Sequence, residues 1–104
     1  MADKPPVVYI LFGEDEFTKA EFVTTLLGKM GDAVMAEMNT TRLDGRTAGF
    51  SDLENAVRVM PFLAPRRMVI LASPVSMTKN LPLQKRFKEI LDQIPETTAL
   101  VLIE

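Results

Sequence analysis

Continuous apolar runs alternate with amphipathic stretches along this chain, and the alternation predicts its elements. Val7–Phe12 is apolar throughout and lies between Pro6 and Gly13, the pattern of a strand buried on both faces. The period then lengthens. Phe17, Ala20, Val23, Leu27 and Met30 recur at helical spacing, and Phe22 and Leu26 widen the stripe. The spacing predicts a helix over 15–30, with Asp15 as N-cap and Gly28 and Gly31 marking its end. Glu37–Leu43 alternates and is polar, with Thr40 and Thr41 inside it; it reads as an edge strand, closed by the turn Asp44-Gly45. Ser51-Asp52-Leu53-Glu54 has the form of a capping box, with Ser51 as N-cap, and Leu53, Ala56, Val57 and Met60 follow on one helical face. Arg67–Ala72 reads as a second buried strand. Asn80, or a neighbour, caps a helix whose apolar face is Leu83, Phe87, Ile90, Leu91 and Ile94, ended by Pro95, and Thr98–Ile103 is the last strand. Apolar strands alternating with amphipathic helices, in the order β-α-β-α-β-α-β, imply an α/β fold with a parallel sheet covered on both faces.

Composition narrows the function. At 104 residues the chain makes one small domain. The formal net charge of −2 provides no chain-wide attraction to nucleic acid or to an anionic membrane, so any such contact is expected to be local or indirect. Cysteine and histidine are both absent. That removes disulfides, thiolate metal sites, and the commonest metal ligand and general base near neutral pH. No Ser-His-Asp or Cys-His hydrolase can be built from these residues, and no cofactor or metal is expected. Met1–Pro6 is polar without a signal-peptide pattern, and the longest apolar runs are far too short to span a bilayer. A cytoplasmic location is expected. The chain stops at Glu104, on an apolar strand, which leads us to expect a fragment of a longer protein.

One stretch carries candidate chemistry. A phosphate-binding loop reads G-x-x-x-x-G-K-[ST] between a strand and a helix. The corresponding window here is Gly13-Glu14-Asp15-Glu16-Phe17-Thr18-Lys19-Ala20. Gly13 and Lys19 are in register, but Thr18 stands where the second glycine belongs and Ala20 where a hydroxyl would hold Mg²⁺. A Cβ at Thr18 opposes close approach of the backbone to phosphate. Glu14, Asp15 and Glu16 set carboxylates where a triphosphate would lie. The apolar strand Met68–Leu71 runs into Ala72-Ser73 with no acidic residue to complete a metal site. The window therefore reads as a degenerate nucleotide site: Gly13 as a strand-to-helix turn and Lys19 as a solvated helix position. A P-loop NTPase or kinase fragment remains the alternative. A receiver-like module, suggested by the acidic cluster, lacks an acceptor Asp near Ala72-Ser73.

The ordered set VYILFGEDEFTKAEF, NTTRLDG, MPFLAPRRMVILASP and TALVLIE resembles the N-terminal region of the delta subunit of bacterial DNA polymerase III, the wrench of the clamp loader. The resemblance covers Val7 to Glu104. It implies a three-layer α/β/α, P-loop NTPase (AAA+)-like fold with a degenerate nucleotide site and strand order 1-4-3-2. It implies a single N-terminal AAA+-like domain over 1–104, cut before the helical lid. It also implies binding rather than catalysis, in a parent complex that is a DNA-directed DNA polymerase. Family members enter a pocket on the sliding clamp (the beta subunit) with two large apolar side chains at the end of the helix before the third strand, and help to open the ring. Other loader subunits are contacted through regions absent here. The matching positions are Phe62 and Leu63, preceded by Met60 and Pro61. The order Phe-Leu reverses the Leu-Phe often found in the family.

The residues themselves leave this site open. Phe62 and Leu63 sit between Pro61 and Pro65, outside the helical stripe, which suits paired anchors for a partner's pocket. The same spacing suits loop residues that pack beneath the sheet. Arg66 and Arg67 read as a solvated lead into the strand. Lys79, Lys85, Arg86 and Lys88 are interleaved with Glu89, Asp92 and Glu96 and read as a solvated helix face.

Overall fold

A computed structural model describes residues 7–104; the polar stretch Met1–Pro6 lies outside the described residues. The elements run β1 (Val8–Leu11), α1 (Glu16–Gly28), α2 (Ala33–Met38), β2 (Thr40–Asp44), α3 (Phe50–Arg58), β3 (Arg67–Ala72), a 3₁₀ turn (Pro74–Met77), α4 (Leu81–Asp92) and β4 (Thr98–Ile103). The strands form one four-stranded sheet in the order β1-β4-β3-β2. All three pairings are parallel, with Val8 opposite Leu100, Val69 opposite Leu100, and Thr41 opposite Val69. No helix among the described residues is long and apolar enough to cross a membrane.

The central strands explain the layers. Side chains alternate across a strand, so two neighbours that are apolar beyond their first residues, β3 and β4, need cover on both faces. Val69, Leu71, Leu100 and Leu102 pack with Leu53, Val57, Phe87 and Ile90 from α3 and α4. Met68, Ile70 and Val101 turn the other way, onto Val23, Leu26, Leu27 and Met30 around α1. Thr98, fully buried at the start of β4, donates its hydroxyl to the Val57 carbonyl at 2.9 Å and ties α3 to the sheet.

Several expectations shift. Helix α1 spans a shorter stretch than 15–30, and its Asp15 cap is present. Phe17 and Ala20, placed on its buried face by periodicity, are exposed, and in these first turns it is Lys19 that is buried. Most of the strand expected over Glu37–Leu43 is displaced. Asp32 caps a short helix through the Met35 N–H, and pairing to β3 begins only at Thr40; the edge position holds. The N-cap of α3 is Gly49, not Ser51. Asp52 reaches back to the Gly49 N–H at 2.8 Å, while Glu54 instead pairs with Arg58 and Arg86. Asn80 caps α4 as expected, accepting from the Leu83 N–H at 3.0 Å.

The turn after β2 is tightly constrained. The Gly45 N–H extends the β2–β3 ladder by donating to the Ala72 carbonyl at 2.7 Å. A Cβ on Gly45 would lie 2.3 Å from the Ser73 carbonyl oxygen. Beside it, Asp44 accepts from the Arg46 guanidinium and main-chain N–H. The Arg46 side chain, followed by its N–H, holds the Asp44 carboxyl down at about 2. We predict that Gly45→Ala destabilises the domain by about 1–3 kcal/mol through overpacking against backbone. Gly28→Ala, which meets open space in α1, is expected to be neutral or stabilising by up to ~1 kcal/mol. Urea unfolding of the two variants checks both.

Candidate functional site

The segment between β1 and α1 keeps the outline of a phosphate loop but spends its groups internally. Gly13 turns the chain with φ of 117°, in the left-handed region that favours glycine. Asp15 then occupies the helix N-terminus. Its carboxylate accepts from the Thr18 N–H at 3.0 Å and from the Thr18 hydroxyl at 2.7 Å. These bonds, the hydroxyl first, hold the Asp15 carboxyl below its ordinary range. The N–H groups and positive dipole end that would draw a phosphate thus already serve an anion. Ala20 is exposed and carries no group for a metal.

Lys19 corrects an expectation. It is 8% exposed rather than solvated. Its Nζ donates to the Gly13 carbonyl at 2.9 Å and to the Glu104 carbonyl at 3.0 Å, and it pairs with Glu16 at 3.0 Å. The ammonium therefore spans the loop leaving β1 and the end of β4. At the end of β3, the Ser73 N–H is taken by the Ile103 carbonyl at 2.8 Å. Among the described residues no group of acidic, His or Cys side chains is placed to hold a metal ion.

The opposite end of the sheet carries a second arrangement. Helix α3 ends at Arg58, Val59 is extended, and Pro61 cannot continue a helix. The following loop is clamped by Asn39, a fully buried residue between α2 and β2. Its Oδ1 accepts from the Phe62 N–H at 2.6 Å, and its Nδ2 donates to the Phe62 carbonyl at 2.9 Å. One side-chain amide thus satisfies both main-chain groups of Phe62, as a neighbouring strand would. The Asn39 carbonyl also accepts from the Met68 N–H at 2.8 Å, locking the clamp to β3. Leu63 follows with φ of 53°, a strained conformation for a γ-branched residue. The result is a fixed backbone with outward side chains: Met60, Phe62 and Leu63 are 70%, 51% and 79% exposed. The packing of Phe62 and Leu63 beneath the sheet, left open by the sequence, does not occur. Pro61 is half-buried and sets the loop's direction.

Arg66 and Arg67 do not form the solvated lead expected of them. Arg66 donates to the Thr98 carbonyl at 3.1 Å. Arg67 is 7% exposed and reaches the Thr41 hydroxyl. Lys85, Arg86 and Lys88 are exposed as expected, and Lys88 pairs with Asp92.

A family model described as DNA polymerase III, delta subunit, matches residues 9–104. The chain belongs to the DNA polymerase III delta subunit family. Among solved structures, this delta-family chain is similar to the Bacillus subtilis DNA clamp loader delta protein, with a TM-score of 0.79 and 19% identity over 94% of this chain and 31% of that one. It is also similar to a DNA polymerase III gamma subunit-related protein from Thermotoga maritima, with a TM-score of 0.67 and 22% identity over 93% of this chain and 34% of that one. The delta-family chain thus spans about a third of the length of the solved chains it matches, and at these identities the likeness is one of fold. A comparison with curated protein sequences finds no match.

Asn39 is the residue that sequence reasoning missed. It lies in the quoted stretch NTTRLDG, but its partner Phe62 is 23 positions away, so no local spacing marks it. Two predictions follow from these bonds. Lys19→Met should lower stability by about 1–3 kcal/mol, because two carbonyls lose their donor, without changing the response to ATP in calorimetry. Asn39→Ala should cost a similar ~1–3 kcal/mol and speed hydrogen exchange at the Phe62 amide well beyond the global effect, as read by NMR.

Proposed function

We propose that this chain is a non-catalytic clamp-loader module that grips the sliding clamp through the Met60–Leu63 loop and helps to open the ring during DNA replication. In this proposal it is the N-terminal, AAA+-like domain of a longer cytoplasmic subunit, whose remaining parts contact the other loader subunits. DNA is engaged only indirectly, through the clamp. The observation that carries the proposal is the rigid display of Phe62 and Leu63 on a backbone held by Asn39. Two large apolar side chains that are exposed while their main chain is fixed lose little entropy on entering a pocket. Membership of the delta family supports clamp loading as the process. The internal use of Asp15 and Lys19 supports a role without nucleotide turnover.

Calorimetric titration of the chain with the sliding clamp of the same organism tests this function. Phe62→Ala/Leu63→Ala, with fold verified by circular dichroism, is expected to weaken binding by roughly 100-fold or more, in line with the ~3 kcal/mol or more that burial of two such side chains contributes. A well-folded parent chain that gives no binding heat with the clamp would overturn the proposal. A parallel titration with ATP and Mg²⁺ should give no saturable heat; nucleotide binding there would favour a working NTPase fragment instead.

A further inference from the structure

Among the described residues, Gly13, Gly31, Ser73 and Leu63 have positive φ. Two of these are glycines and Ser73 is small and polar. Leu63, at φ of 53°, is the exception in kind. The left-handed region brings Cβ close to the following carbonyl oxygen, a strain that glycine escapes.

The surroundings impose this conformation. The chain bends over 62–65 between two fixed points. On one side Asn39 holds both main-chain groups of Phe62. On the other, the Arg67 N–H donates to the Thr97 carbonyl at 2.7 Å, and Pro65 disfavours helical backbone at Ala64. Strain of this kind persists only where neighbouring structure fixes it, and it gathers at binding sites. Leu63 adds no packing to offset it, being 79% exposed against 51% for Phe62. Stability alone would favour glycine at this position. A large aliphatic side chain there is accounted for by a contact made outside the chain, at some loss of stability.

We propose that Leu63 is the dominant anchor of the partner contact and that Phe62 flanks it. This rests on the clamp-binding reading above, and it assigns the receiving pocket to a branched aliphatic side chain. Thermal unfolding, together with calorimetric titration with the sliding clamp of the same organism, tests it on Leu63→Gly, Leu63→Ala and Phe62→Ala. Leu63→Gly should raise the melting temperature by about 2–8 °C as the strain is relieved, and yet weaken clamp binding roughly 20-fold or more. Leu63→Ala retains the strained Cβ and should melt within about 3 °C of the parent chain. It should lose binding to a similar extent, which separates loss of the side chain from the added freedom of glycine. Phe62→Ala should weaken binding by no more than about fivefold. Unchanged affinity in Leu63→Gly, or a larger loss in Phe62→Ala than in Leu63→Ala, would overturn the assignment and leave the clamp reading standing. So would a Leu63→Gly variant that melts below its parent. A folded parent chain that does not bind the clamp overturns both.

Discussion

Asn39 holds together the end of the sheet where the strands begin. Its main chain closes α2 by donating to the Met35 and Ala36 carbonyls and receives the Met68 N–H from β3. Its side-chain amide bonds Phe62 at both main-chain groups and also donates to the Met35 carbonyl. Fully buried polar groups are costly unless every one is met, so this residue fixes α2, the first pairing of β2 and the loop after α3 together. The exposed Phe62 and Leu63 follow from that bonding. With their backbone held from beneath, their side chains project outward, away from the core that the hydrophobic effect would otherwise draw them into.

Lys19 and Asp15 make a contrasting use of similar economy. In a phosphate loop, the helix N-terminus and the lysine are kept available for a ligand. Here Asp15 supplies the anion to the helix end, and Lys19 satisfies carbonyls leaving β1 and β4. The strand-turn-helix connection needs Gly13 and leaves carbonyls to be met at the strand ends, and the protein's own groups meet them.

The two ends of the sheet therefore differ in what they offer. Where the strands finish, polar groups are largely paired within the chain, through Lys19, Gly45 and Ser73. Where they begin, the Phe62–Leu63 loop presents apolar surface. The crossovers serve the core, with α3 and α4 covering one face and α1 the other.

Much of this was legible along the chain, for a definite reason. Val69–Leu71 and Leu100–Leu102 are apolar without alternation, and only a strand covered on both faces tolerates that, so the layered parallel sheet was written into periodicity. The caps Asp15 and Asn80 act over three positions and were equally readable. Strand order and the exposure of the Met60–Leu63 loop came instead from resemblance to the delta family, and the short helix α2 and the Gly49 cap were misread because several polar residues nearby offered competing caps and the tertiary packing chose among them. Asn39 and the burial of Lys19 and Arg67 had no local signature at all. Each depends on partners brought from distant parts of the chain, and a side chain's hydrogen bonds and exposure are decided only when the fold delivers those partners.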